Sequence, residues 1–359
     1  MKKATTAICQ KNYLLLLNCF VLFLFILPTH SNSQEIKSAG YRTLKAYIDD
    51  FAKNELFIKK SLIEYSNSII ENQLESRSLA TSTRITEKLK SINANIKQND
   101  KGFEKNTLLR DSFIKMNEKT IECLSNGTLI MNDYTSQSQN SVTEISQNLK
   151  ERELALIGYF EELKQFEKSK KEFGKMNNIN IKNFSGNNVL EYNAYQNVLF
   201  YKINVIDEKL NTSIIKVNKD EFIASINALD NVYQEVLLKT SQYKSIFNDT
   251  SLNSENIAYS NFIYSQKKKI IPLFNDFANE YAALQKLKKM PNNNSKESID
   301  RYNLAVKSYN LKKNALFDIL DIIQKNKKIM YNNWFVVNRT FLKNNIKVTD
   351  IYESYTFND

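Results

Sequence analysis

Past Gly186 the chain contains no further glycine, and beyond its apolar N-terminal run it has only two prolines, Pro272 and Pro291. A backbone with so few breakers cannot make the frequent tight turns that a β-sandwich or barrel requires. Long helices are what remains, and the apolar residues are spaced for them. Leu44, Tyr47, Ile48, Phe51, Ile58, Leu62, Tyr65 and Ile69 recur at intervals that place them on one helical face. No strand-like alternation of useful length precedes the C-terminal tail. The chain reads as all-α.

Breaks in the apolar stripes divide it into eight long helices, near 41–70, 74–98, 106–136, 140–175, 190–217, 220–245, 254–289 and 296–345. "QNDKGFEKN" around Gly102 separates the second from the third. "MNNINIKNFSGNN" separates the fourth from the fifth and is the expected domain boundary. Asp249 or Ser254, and Ser295, are placed to cap helix N-termini, and Pro291 stands where a helix must stop.

The N-terminus decides which residues count. Lys2, Lys3 and Lys11 precede the apolar run "YLLLLNCFVLFLFIL", and Ser31 and Ser33 occupy the −3 and −1 positions of a cleavage before Gln34. That is the pattern of a secretory signal peptide, residues 1–33. The run is shorter than the ~20 apolar residues of a membrane span and is interrupted by Asn18. Cleavage removes His30, the only histidine, together with Cys9 and Cys19. The formal charge falls from +11 to +8, because three lysines and no acid depart. One cysteine, Cys123, remains and cannot form an internal disulfide. Packing alone must hold the fold.

The helices also repeat. Tyr47, Phe51, Ile58 and Leu62 correspond to Tyr195, Leu199, Ile206 and Leu210 at an offset of 148. Phe113, Ile114 and Ile121 match Phe262, Ile263 and Ile270 at 149, and Leu154, Ala155, Leu156 and Tyr159 match Leu304, Ala305, Val306 and Tyr309 at 150. An offset that drifts by only two residues over four helices points to a duplicated unit. The expected architecture is two tandem up-down four-helix bundles, 34–185 and 186–345, followed by a tail, 346–359. At the offset of 149, Pro272 in the seventh helix has Cys123 in the third as its counterpart, followed by the poor helix formers Asn126 and Gly127.

The phrases "EYNAYQNVLFYK", opening the second unit, and "RYNLAVKSYN" with "YNNW", closing it, carry a family resemblance. They resemble exported helical surface proteins and lipoproteins of Bacteroidetes and spirochaetes built from a twice-repeated bundle. The resemblance covers most of the mature chain and implies a cell-envelope location and this fold. It brings no activity and no functional residues. Many such proteins carry a lipid-anchor cysteine at the cleavage site, where this chain has Gln34.

Residue chemistry excludes most enzyme classes. A di-iron bundle needs Glu-x-x-His pairs, and zinc and haem need histidine or cysteine ligands that the mature chain lacks. Cys123 has no histidine to activate it and is expected to be buried packing. Asp49-Asp50 and Glu161-Glu162 are adjacent on helices, so they cannot converge and are expected on solvated faces. Catalytic, cofactor and metal sites are therefore all expected to be absent.

The positive charge is spread, with 24 basic and 21 acidic residues in 34–185 and 23 and 18 from Gly186 onward. Neither Lys267, Lys268 and Lys269 nor Lys286, Lys288 and Lys289 makes a nucleic-acid footprint. An envelope protein or an acidic polymer is the expected partner. No apolar run after the signal is long enough to span a bilayer. Trp334, Phe335 and Phe341 either cap a core or form an exposed patch for a partner. The expected function is an exported, non-enzymatic interaction or scaffold component. The alternative is a bundle that binds a small molecule, and a pocket with convergent polar groups would favour it.

Overall fold

The structure, a computed structural model, describes residues 43–70, 75–125, 134–181, 186–290, 295–346 and 355–357. The predicted signal peptide, Asn126, Gly127 and Pro291 lie outside the described residues. In chain order the elements are α1 (Leu44–Ile70), α2 (Glu75–Asn99), α3 (Leu108–Ser125), α4 (Tyr134–Gln137), α5 (Val142–Met176), β1 (Ile179–Ile181), α6 (Gly186–Ile215), α7 (Lys219–Tyr243), α8 (Ser251–Lys288), α9 (Lys296–Asn345) and β2 (Tyr355–Phe357). The fold is all-α. The eight long helices coincide with the eight expected, except that the third ends among the described residues at Ser125 and the short α4 follows.

Local chemistry sets the helix ends. Ser141 and Glu144 form a reciprocal capping box on α5, and the side chain of Asn218 accepts from Glu221 N on α7. Ser295 caps α9 as its position suggests. On α8 the acceptor is Asp249, whose Oδ2 takes the Leu252 N–H at 2.9 Å, whereas Ser254 lies within the helix. Pro272 lies inside α8, which continues past it to Lys288. Cys123 and Pro272 thus fall on α3 and α8, the third long helix of each half.

Helices pack largely in chain order: α1 on α2, α2 on α3, α3 on α5, then α6 on α7, α7 on α8 and α8 on α9. Tyr47 and Tyr195, Phe51 and Leu199, Ile58 and Ile206, and Ile114 and Ile263 are buried as pairs, while Leu154 and Leu304 are both exposed. The first half carries a run of ring contacts from Tyr47 through Phe51 and Phe113 to Phe166.

The expectation that each stripe faces a core of its own half meets an exception in α6. This helix is buried almost all round, in contact with α4, α5, α7, α8 and α9. Its apolar residues join Cys123, Leu156 and Phe160 from the first half and Trp334 and Phe341 from α9 in one cluster. The physical reason lies in its polar residues, many of which meet a partner on a neighbouring element, so most of α6 can leave solvent. Lys164 bonds Glu191, Tyr259 bonds Asn204, Lys327 bonds Asp207, and Thr212 bonds Ser138.

The linker between the halves holds the other departure. Ile179–Ile181 forms β1, which pairs antiparallel with β2 from the tail, Ile181 opposite Tyr355. Two three-residue segments far apart in sequence give no alternation to detect. Gly174 lets β1 close over the end of α5, since a Cβ there would stand 2.9 Å from Ile181 Cδ1 and 3.0 Å from the Ile179 carbonyl oxygen. Gly174→Val is expected to destabilise the protein by about 1–3 kcal/mol in denaturant unfolding through overpacking. Gly158, on the same helix with nothing near its Cβ position, is the control. Gly158→Ala should stabilise by about 0.5–1 kcal/mol.

Candidate ligand-binding cleft

Three helices meet around a cleft of about 590 Å³. Ser146, Leu149, Lys150 and Glu153 come from α5, three, four and seven residues on from the first, so they share a face. From α7, Ala224, Asn227, Ala228, Asn231, Val232 and Glu235 repeat the same spacing. Between them α6 contributes Lys202. The small residues Ala224 and Ala228 on α7 leave the space between the walls unfilled. Asparagine and serine side chains supply donors and acceptors above the aliphatic surface.

The floor is ionic. Lys202 Nζ, on a side chain only 5% exposed, lies 2.7 Å from Glu153 Oε2 and 2.6 Å from Glu235 Oε1. Lys239, one turn beyond Glu235, pairs with both carboxylates in turn. Two cations and two anions thereby close a four-membered network whose charges cancel. Burial alone would raise the Glu153 carboxyl, but hydrogen bonds from Lys202 and Lys239, with their charges, outweigh it and hold the group below the usual carboxylate range. Lys239 is the mirror case: burial works to lower it, and the bonds it donates to Glu153 and Glu235, with their charges, carry it above the ordinary ammonium value. Tyr243, stacked on Tyr195 at 5.0 Å, has its hydroxyl driven far upward by burial and then by the charges of Glu153 and Glu235. It stays protonated throughout the physiological range.

A second buried ion cluster differs in kind. Lys170, 1% exposed, lies 3.0 Å from Glu55 Oε2, and Lys59 lies 3.5 Å from the same oxygen. The adjoining cavity is about 20 Å³, room for no more than a water molecule. It serves to pin α5 to α1.

The residues singled out from sequence fall elsewhere. Cys123 is buried at 2% exposure, its Sγ donates to the Ala155 carbonyl, and burial pushes the thiol up to about 12. That is a packed thiol. Asp49 pairs with Lys45 and Asp50 with Lys53, and Glu161 is exposed. Glu162 departs from the expected solvated face: it is buried and bonded to Lys115 at 2.8 Å, because α3 packs across α5 there. Trp334 stacks on Phe200 with centroids 4.6 Å apart, Phe341 packs on Tyr192, and Phe335 is half-buried. These aromatics are core. Lys267 is held by Asp230 and lies over the Tyr264 ring, while Lys268 and Lys269 are exposed.

None of the cleft residues stood out in sequence. The usable signal was the helical face of small and amide positions on α7, Ala224, Asn227, Ala228 and Asn231, where an aliphatic stripe would otherwise continue. Among the described residues no group of histidine, cysteine and acidic side chains is arranged to hold a metal ion, and no helix is long and apolar enough to cross a membrane. Comparison with known protein families, curated proteins and solved structures finds no match to this chain.

Linkage gives the ionic floor a pH signature. Glu153 has a depressed folded value, so its contribution is fully present above the ordinary glutamate range near about pH 4.3 and is lost as pH falls through the lower folded value. Lys239 is raised, so its contribution is present below about pH 10.4 and is lost as pH climbs through the higher folded value. Glu153→Gln is expected to cost about 3 kcal/mol at neutral pH, as for a broken buried pair. In denaturant titrations the gap between variant and parent should hold steady from about pH 6 to 9 and shrink below about pH 4.

Proposed function

We propose that this chain is an exported, non-enzymatic helical binding protein whose cleft between α5, α6 and α7 takes a small polar ligand. The observation that carries the reading is convergence. Ser146, Asn227, Asn231 and the outer edge of Glu235 surround one space of about 590 Å³, within the ~300–1,000 Å³ range of small-molecule sites. The four charges of the floor cancel among themselves, and only the exposed Lys150 adds charge to the lining, which suits a zwitterion or a neutral ligand with acceptors for its ammonium. It would be a neutral or zwitterionic molecule, with several hydrogen-bonding groups and an aliphatic side to lie on Leu149 and Val232. The ionic floor shapes the site and is not displaced, since opening a buried pair costs about 3–5 kcal/mol. The non-enzymatic part of the reading rests on the sequence after Gln34, which has no histidine and one cysteine.

Export rests on the charged start, the apolar run and the small residues before Gln34. Envelope location accords with the resemblance to exported two-bundle proteins. We infer further that the halves arose by duplication, from the near-constant offset and the matched order of helix packing. Sequencing of the protein from cells should begin at Gln34 in a fraction outside the cytoplasm; an intact Met1 would count against export.

The binding reading is tested by native mass spectrometry of mature protein incubated with a polar small-molecule extract of its own cells. A stoichiometric adduct is expected. It should be lost in Ala224→Trp, which fills the cleft, and weakened roughly 10-fold in Asn231→Ala, equivalent to one lost hydrogen bond of about 1.4 kcal/mol. An adduct that survives Ala224→Trp unchanged would remove the cleft as the site.

A further inference from the structure

Helix α9 carries a second seam, turned away from the fold. Leu304, Leu311, Ile322, Ile329 and Val336 are 68%, 67%, 54%, 60% and 65% exposed. At 100° per residue they fall within a band about 40° wide. The residues α9 buries against its neighbours, among them Leu316, Ile323 and Trp334, lie about 100° or more round the helix. Single exposed aliphatics, such as Leu154 or Leu238, need no explanation. A row along one helix does.

The positions between these residues complete a heptad pattern. Ser308, Ala315, Asp318, Asn326, Asn333 and Thr340 are also outside the core. With the five aliphatics they run at alternating steps of four and three, apart from one repeated step of four at Ile322. This is a coiled-coil seam in which large aliphatics alternate with small or polar residues, except where Asp318 follows Ala315.

The seam is complementary to itself when reversed. With a two-fold axis at Ile322, Leu304 faces Thr340 of the other copy, Ser308 faces Val336, and Leu311 faces Asn333. Ala315 faces Ile329, and the one acid in the seam, Asp318, faces Asn326. Every large residue then meets a small or polar one except Ile322, which meets its own copy on the axis. Charges beside the seam follow the same register. Asp318 comes level with Lys325 of the other copy and Asp300 with Lys343, each pair occurring twice by symmetry, and all four residues are exposed. We propose that this face of α9 is a self-association surface on which a second copy of the chain packs antiparallel, centred on Ile322.

The size is sufficient for a weak, specific dimer. A seam from Leu304 to Thr340 is about 54 Å long at 1.5 Å per residue, and a helix is about 10 Å wide. Roughly 540 Å² per copy, about 1,100 Å² in all, stands just above the ~1,000 Å² that a biological interface needs. A C2 contact of this kind closes on itself, which favours dimers over filaments. The surface is separate from the cleft, to which α9 contributes no residue.

Sedimentation velocity on the mature chain, up to about 0.2 mM, should show a concentration-dependent dimer. Ile322→Asp, which sets two acids face to face on the axis, should leave a folded monomer with an unchanged circular dichroism spectrum. Asp318→Lys and Lys325→Asp should each weaken dimerisation at least 10-fold, and the two together should restore it, an outcome that a merely local effect on α9 would not produce. Cysteines introduced at Leu304 and Thr340 should cross-link one copy to the other. A chain that stays monomeric throughout the range would overturn the proposal. So would Leu304→Cys cross-linking to its own counterpart, the signature of parallel packing, or a monomer that floats with anionic vesicles and so assigns the seam to a lipid surface.

Discussion

The burial of α6 is the constraint on which the rest of the structure depends. The helix carries lysines, carboxylates and amides, yet Asn193, Gln196, Lys202, Asn204 and Lys209 are all buried. A buried polar group without a partner costs about 1–3 kcal/mol, and more if charged, whereas a satisfied one contributes only about 1 kcal/mol. The surrounding helices are therefore held in register by necessity. Asn338 of α9 sits between Asn193 and Asn197, Gln196 engages Asn253 and Asn256 of α8, and Lys209 reaches Glu221 of α7. A shift of any neighbour by one turn would strand several of these groups together. Such networks specify one arrangement among many that would bury equal apolar area.

The cleft follows from the same constraint. Lys202 cannot reach solvent, so carboxylates must come to it, and Glu153 and Glu235 arrive from α5 and α7. Those helices approach closely at the ionic floor. Above it, Ala224, Ala228 and the amides of α7 are too short to fill the space between them. A rigid, neutral base beneath a polar opening is thus a consequence of how a buried lysine is satisfied. Function, in the binding reading, uses a gap that stability had already produced.

Two surfaces of the molecule divide the possible work. The cleft lies among α5, α6 and α7, while the outward seam of α9 faces away from the helices it packs against. Because α9 is anchored through Trp334, Asn338 and Phe341, its exposed face is carried on a helix already fixed to the core. A platform preorganised in this way avoids the ordering cost that a flexible segment would incur on association.

Much of this was open to the sequence. Scarce glycine and proline, with apolar residues three and four apart, determined eight long helices and, apart from the end of the third, their ends to within a few residues, because capping and periodicity are local. Burial of Cys123 and the position of Pro272 within a helix followed from the same reasoning. The cleft was not legible, since Glu153, Lys202 and Glu235 are ordinary surface-type residues until three helices bring them within 3 Å. Glu162 was misjudged for the same reason. β1 and β2 lie on either side of the second half and find each other only across the folded chain. Sequence determined where helices start and stop, because those forces act over one or two turns. Tertiary structure alone decided which polar residues were buried and who partnered them, because that depends on the neighbours surrounding α6, and no local pattern records them.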